Sequence, residues 1–157
     1  MTEPTHTTVR VDAALELQEL RDRHAIGQLI DALGLWLDEK RFDDALAILT
    51  DDVAAETPGG TARGLAAVVD QARRNHPEDT GTQHVIANAV IDLDGDRAHA
   101  GANLIATFFD AARPSAPRLQ LGERYRFDLV RTPNGWRISA VRTSPLWVLG
   151  EPLRSAP

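Results

Sequence analysis

Residues 81–97, GTQHVIANAVIDLDGDR, decide the fold class of this chain. Successive side chains of a strand point to opposite faces, so His84, Ile86, Asn88 and Val90 share one face and Val85, Ala87, Ala89 and Ile91 the other. Neither is a plain solvent face. The face carrying His84 and Asn88 looks onto something enclosed but partly polar, and a ligand cavity fits that description. The stretch runs into Asp94-Gly95-Asp96, a tight-turn signal, and RAHAGANLIATFFD (97–110) returns as an antiparallel partner.

Working outward, ARPSAP (112–117) reads as a loop, and a second hairpin joins LQLGERYRFDLVR (119–131) to GWRISAVRTSPLWVL (135–149) across Pro133-Asn134-Gly135. Upstream the period changes. AALELQELRDRHAIGQLIDALGLWLDEK (13–40) reads as a long helix capped by Asp12, with Ile26, Leu29, Ile30, Leu33 and Leu37 forming one apolar stripe. FDDALAIL (42–49) reads as a short helix, DDVAAETPGG (51–60) as a strand ending in a turn, and GLAAVVDQARRNH (64–76) as a third helix. Helices followed by an antiparallel meander define an α+β class. A single domain over 12–150 is expected, with a frayed polar tail at 1–11 and a C-terminal tail at 151–157. The apolar run before that tail, LWVLGEP, is placed to dock over the mouth of a cavity.

Composition narrows the function. At 157 residues and a formal charge of −6, the chain lacks the gathered Lys and Arg that phosphate-backbone binding needs, so no nucleic-acid partner is expected. With no cysteine there is no thiolate zinc site, disulfide or thiol nucleophile. The first residues contain no apolar run, and no segment approaches the roughly 20 apolar residues of a membrane span. No membrane partner and a cytoplasmic location are the expectation. No HExxH, P-loop, GxGxxG or GxSxG motif is present, which leaves no metal or nucleotide signature.

As an ordered set, LWLDEKRFDDALAILTDDV (35–53), GLAAVV (64–69), TQHVIANAVIDLDGDRAHA (82–100) and YRFDLVRTPNGWRI (125–138) resemble the SnoaL-like branch of the nuclear transport factor 2-like superfamily. The resemblance covers roughly residues 15–148. It implies a cone: a strongly curved antiparallel sheet wrapped around the N-terminal helices, with a pocket at the open end. It also implies a homodimer or homotrimer.

Two enzyme families of that superfamily, the scytalone dehydratases and the hexachlorocyclohexane dehydrochlorinases, pair an Asp at the end of the first long helix with a His on the sheet. The matching residues are Asp38 and His84. A neutral imidazole is a competent base near neutral pH, and a carboxylate on its other nitrogen fixes the tautomer and stabilises the imidazolium. Tyr125 falls on the dehydratase Asn and is the third candidate. The departures are specific: Ala102 stands where those dehydratases have a second His, Leu33 where several of these enzymes have Tyr or Lys, and Val141 where the dehydrochlorinases have Arg.

Candidate substrate contacts are Leu33, Trp36, Ile86, Asn88, Ala102, Phe127 and Trp147. Blander readings compete. His84 on its own reads as a core histidine bonded to a carbonyl, Asp38 as a helix-terminal acid paired with Lys40 or Arg41, and Tyr125, Trp36 and Trp147 as packing. His76, which precedes a proline, is read as peripheral. The expected function is a cofactor-independent lyase or isomerase acting on a hydrophobic oxygenated small molecule. The alternative is a non-catalytic binding or oligomerising module of the same fold.

Overall fold

The computed structural model describes residues 6–151. Helix α1 (His6–Asp38) is followed by a 3-10 helix (Phe42–Ala47), strands β1 (Leu49–Thr57) and β2 (Gly60–Arg63), and helix α2 (Leu65–Asn75). Four long strands complete the chain: β3 (Thr80–Asp94), β4 (Arg97–Asp110), β5 (Arg113–Thr132) and β6 (Gly135–Gly150). They form one sheet in the order β2-β1-β6-β5-β4-β3, strongly curved around α1. The class is α+β as expected. The sheet, however, is mixed: β1 runs parallel to β6, because the chain crosses from one edge to the other through α2 and returns.

The expected apolar stripe of α1 is the inner core. Ile26, Leu29, Ile30, Leu33 and Leu37 are all buried, and they pack with Trp36, Leu104, Phe127, Leu129 and Ile138. Trp36 meets Phe42 edge to face at 5.1 Å, which fixes the 3-10 helix against the end of α1. Gly34 brings α1 close to the sheet: a Cβ there would stand 3.4 Å from the carbonyl oxygen of His84.

Three sequence expectations are corrected. Asp12 lies inside α1, which starts at His6; residues 1–5 and 152–157 of the two expected tails lie outside the described residues. GTAR, of which only Gly60 is placed in the turn of 51–60, is the short edge strand β2. The ARPSAP segment is strand, not loop. The Asp110 carboxylate accepts the Ala112 N–H at 2.9 Å and closes a two-residue turn, so β5 begins at Arg113. The β4–β5 register jumps at its prolines, from Asp110↔Arg113 to Phe109↔Pro117, an irregularity of the kind at which strands accommodate proline.

A bulge also interrupts β3 between Ala87 and Val90, where Asn88 takes a left-handed φ of 58°. Before the bulge the even residues face α1; after it Ile91 and Leu93 do. Asn88 therefore leaves the face of His84 and lines a hollow on the outer surface with His99 and Arg142. Trp147 is on the outer surface as well, its ring lying over Gly122, and Val85, Ile105 and Leu149 are exposed there too. No helix among the described residues is long and apolar enough to cross a membrane.

Candidate active site

The site is assembled where α1 ends against the start of β3. Gly34 and Asp38 are one helical turn apart and face the same way, so the close approach at Gly34 delivers the Asp38 carboxylate to the backbone of His84. The His84 N–H donates to both carboxylate oxygens, at 3.1 Å to Oδ1 and 2.9 Å to Oδ2. The imidazole Nδ1 of the same residue lies 2.6 Å from Oδ1. One carboxylate thus holds both the main chain and the ring of His84. The neighbouring cations are engaged elsewhere: Lys40 Nζ donates to the Thr80 carbonyl oxygen at 2.9 Å, and Arg41 pairs with Asp44 and Glu39. Asp38 is not the acid of a helix-terminal ion pair. Burial acts to raise its pKa, but the hydrogen bonds and charge of His84 outweigh this and the net shift is downward, so Asp38 is an anion.

His84 Nε2 faces a second histidine. His76 caps the C-terminus of α2, where Pro77 stops the helix, and its Nε2 stands 3.4 Å from Nε2 of His84. The tautomer of His76 follows from its partner. A carbonyl oxygen only accepts, so Nδ1 of His76 must carry the proton in its 2.8 Å bond to the Ala72 carbonyl. By the same logic Nδ1 of His84 donates to Asp38. Two neutral rings then point lone pairs at each other, and one added proton converts that contact into a hydrogen bond. Burial, and then the charge of His84, push His76 down to about 4, so the His76 ring stays neutral and its Nε2 remains an acceptor. The arrangement stabilises the imidazolium from both ends, by Asp38 on Nδ1 and by the His76 lone pair on Nε2.

Both histidines line an open cavity of about 1250 Å³, walled on the far side by Phe108, Leu121, Glu123, Tyr125 and Thr143. Tyr125 packs edge to face on Phe127 at 5.3 Å, and burial, with the charges of Glu123 and Asp38, raises its pKa strongly. Its hydroxyl stays a neutral donor. Glu123 is buried at 8% exposure, and burial raises its pKa; the nearby Thr143 hydroxyl offsets part of this without a hydrogen bond of normal geometry.

The structure thus brings together Asp38, His84 and Tyr125. It does not bring the expected substrate contacts into this cavity. Leu33, Trp36, Ala102 and Phe127 are core residues, Ile86 packs against that core over Gly34, and Asn88 and Trp147 are on the outer surface. His76 and Glu123 are the site residues that the sequence reading missed. For Glu123 a signal was present: it alternates in step with Tyr125 and Phe127, which puts a carboxylate on the inward face of a strand.

The helix-filled, strongly curved α+β fold is that of the nuclear transport factor 2-like superfamily. Within it, this chain belongs to the SnoaL-like domain family, whose model matches residues 18–142. An uncharacterized protein of Mycobacterium tuberculosis is 30% identical over 132 residues, covering 79% of this chain and 85% of its own. Among solved structures, a Kribbella flavida protein superposes with a TM-score of 0.76 at 24% identity, over 83% of this chain and 95% of that one. A putative scytalone dehydratase from Novosphingobium aromaticivorans gives 0.75 at 18% identity, over 88% of this chain and 93% of that one. A hexachlorocyclohexane dehydrochlorinase, LinA type 2, gives 0.75 at 18%, over 90% and 97%. At these identities the structural likeness establishes the fold.

Proposed function

We propose that this protein is a cofactor-independent lyase or isomerase in which His84 takes a proton from carbon in a hydrophobic, oxygenated small molecule. The observation that carries the reading is the 2.6 Å contact between Asp38 and Nδ1 of His84, made at the wall of a cavity. A binding module has no need of such a pair, so the contact favours catalysis over the non-catalytic alternative.

The step is elementary. Nε2 of His84 accepts the carbon-bound proton, the electron pair moves toward an adjacent carbonyl, and the charge that develops on the ring is met by Asp38. The Tyr125 hydroxyl is the donor for the developing oxyanion. The putative dehydratase and the dehydrochlorinase of the same fold act by name on small molecules, which agrees with this chemistry. Elimination of water, migration of a double bond and aldol-type cyclisation all begin with it.

The test uses enolisable and β-hydroxy carbonyl compounds in heavy water, with exchange of the α-hydrogen followed by NMR. His84→Ala is expected to slow exchange by ~100-fold or more at unchanged Tm. Exchange at the wild-type rate in that variant contradicts the mechanism.

A further inference from the structure

The base described above has no leaving-group partner at the positions where the resemblance implies one, since Ala102 and Val141 are apolar. The opposite wall of the cavity supplies a different group. Glu123 on β5 is more than nine-tenths buried, lines the same cavity as His84, and belongs to none of the ion pairs among the described residues. No Lys or Arg among the described residues pairs with it; the charge acting on it is that of His84. The other titratable groups that line the cavity are His76, His84, Tyr125, Asp79, Asp110, Glu151, Arg74 and Arg118, and neither guanidinium is among the ion pairs of the described residues.

Register fixes its relation to the base. His84 pairs with Ala106 and Ala106 with Leu121; the next row inward is Ile86, Leu104 and Glu123. His84 and Glu123 are thus two strands and one row apart on the concave face, which places their backbones ~12 Å from each other. Two inward side chains at that spacing leave room for a small substrate between them.

Resting on the reading of His84 as base, we propose that Glu123 is the general acid of the site, which donates its carboxyl proton to the oxygen leaving a β-hydroxy carbonyl substrate. The α C–H bond breaks as its proton passes to Nε2 of His84, and that electron pair forms the C=C bond. The C–O bond breaks, and its pair takes the proton of Glu123, so water departs. Proton return from the His84 imidazolium to the Glu123 carboxylate, through the released water, restores both groups. The raised pKa of Glu123, caused first by burial, keeps the donor protonated at higher pH than an ordinary glutamate.

The experiment compares Glu123→Gln with the wild type on two probes of one carbon skeleton, a β-hydroxy ketone and its β-acyloxy ester. The ester loses a carboxylate, which needs no proton. The expected result is a loss of ~100-fold or more in dehydration of the hydroxy ketone, with elimination from the ester within about threefold and α-hydrogen exchange retained. Equal losses on both probes, or no loss on either, overturn the proposal. Infrared titration of the carboxyl band that disappears in Glu123→Gln is independent of turnover. A midpoint above the ordinary glutamate range supports the assignment, and an ordinary or lower midpoint overturns it. Absence of α-exchange in the wild type falls on the base reading instead, and the infrared titration then decides the role of Glu123 alone.

Discussion

His76 shows how a single residue escapes a sequence reading and then sets a measurable property. It stands just before a proline at a helix end, a place where histidine is ordinarily a surface residue, yet α2 delivers it 9% exposed against His84. Nothing in the local pattern marks it; only the packing of α2 beside β3 does. Because its pKa falls to about 4 from the ordinary 6.5, the unfolded chain binds that proton first. The stability this contributes is present above about pH 6.5 and is lost as pH falls toward 4, on the order of 3 kcal/mol. Asp38, held below the ordinary carboxylate range, works in the same direction on acidification. We expect His76→Gln to flatten the acid limb of the stability curve, measured by urea unfolding at about pH 7 and about pH 4.5. An unchanged acid limb contradicts the buried, neutral state of the ring.

At the scale of elements, one buried acid ties α1 to the far hairpin. Asp22 receives both terminal nitrogens of Arg131 at 2.7 Å each and the indole N–H of Trp136 at 2.9 Å. Arg131 also reaches Asp96 in the β3–β4 turn and lies over the Trp136 ring at 4.6 Å. Hydrogen bonds from Arg131 first hold Asp22 far below the usual carboxylate range, against its burial. Asp22→Ala leaves the buried Trp136 indole N–H without its acceptor and the partly exposed Arg131 with Asp96 alone, so it should cost ~2–3 kcal/mol in urea unfolding. The exposed pair Arg73–Asp43 is the internal control, with a cost below ~1 kcal/mol for Arg73→Ala. A loss at Asp22 as small as the control's contradicts the anchoring role. Within the charged run LRDRH the acid looks solvated, but Asp22 stands four residues before Ile26 and so continues the apolar stripe. Periodicity contained that clue.

For the whole molecule, the sequence was most readable where one rule acted alone. The stripe from Ile26 to Leu37 and the turns at Gly95 and Gly135 are where the pattern put them, because helical period and left-handed turn residues are local properties. Asp38 and His84 were legible through the resemblance, and their contact confirms that α1 and β3 meet there. The cavity walls were not legible. A bulge at Asn88 flips the alternation of β3, and no composition signal announces it, so residues assigned to one face end on the other. The sheet curves through such bulges, and curvature decides which inward residues form core and which line the cavity. The central claim is that this architecture holds His84 with Nδ1 protonated toward Asp38 and Nε2 free to accept a proton. Nitrogen-15 NMR of histidine-labelled protein above neutral pH tests it most directly. The account predicts that His84 and His76 both carry their proton on Nδ1, and that Asp38→Ala releases His84 from that tautomer while His76 keeps it. A His84 protonated on Nε2 in the wild type, or a tautomer indifferent to Asp38→Ala, would contradict it.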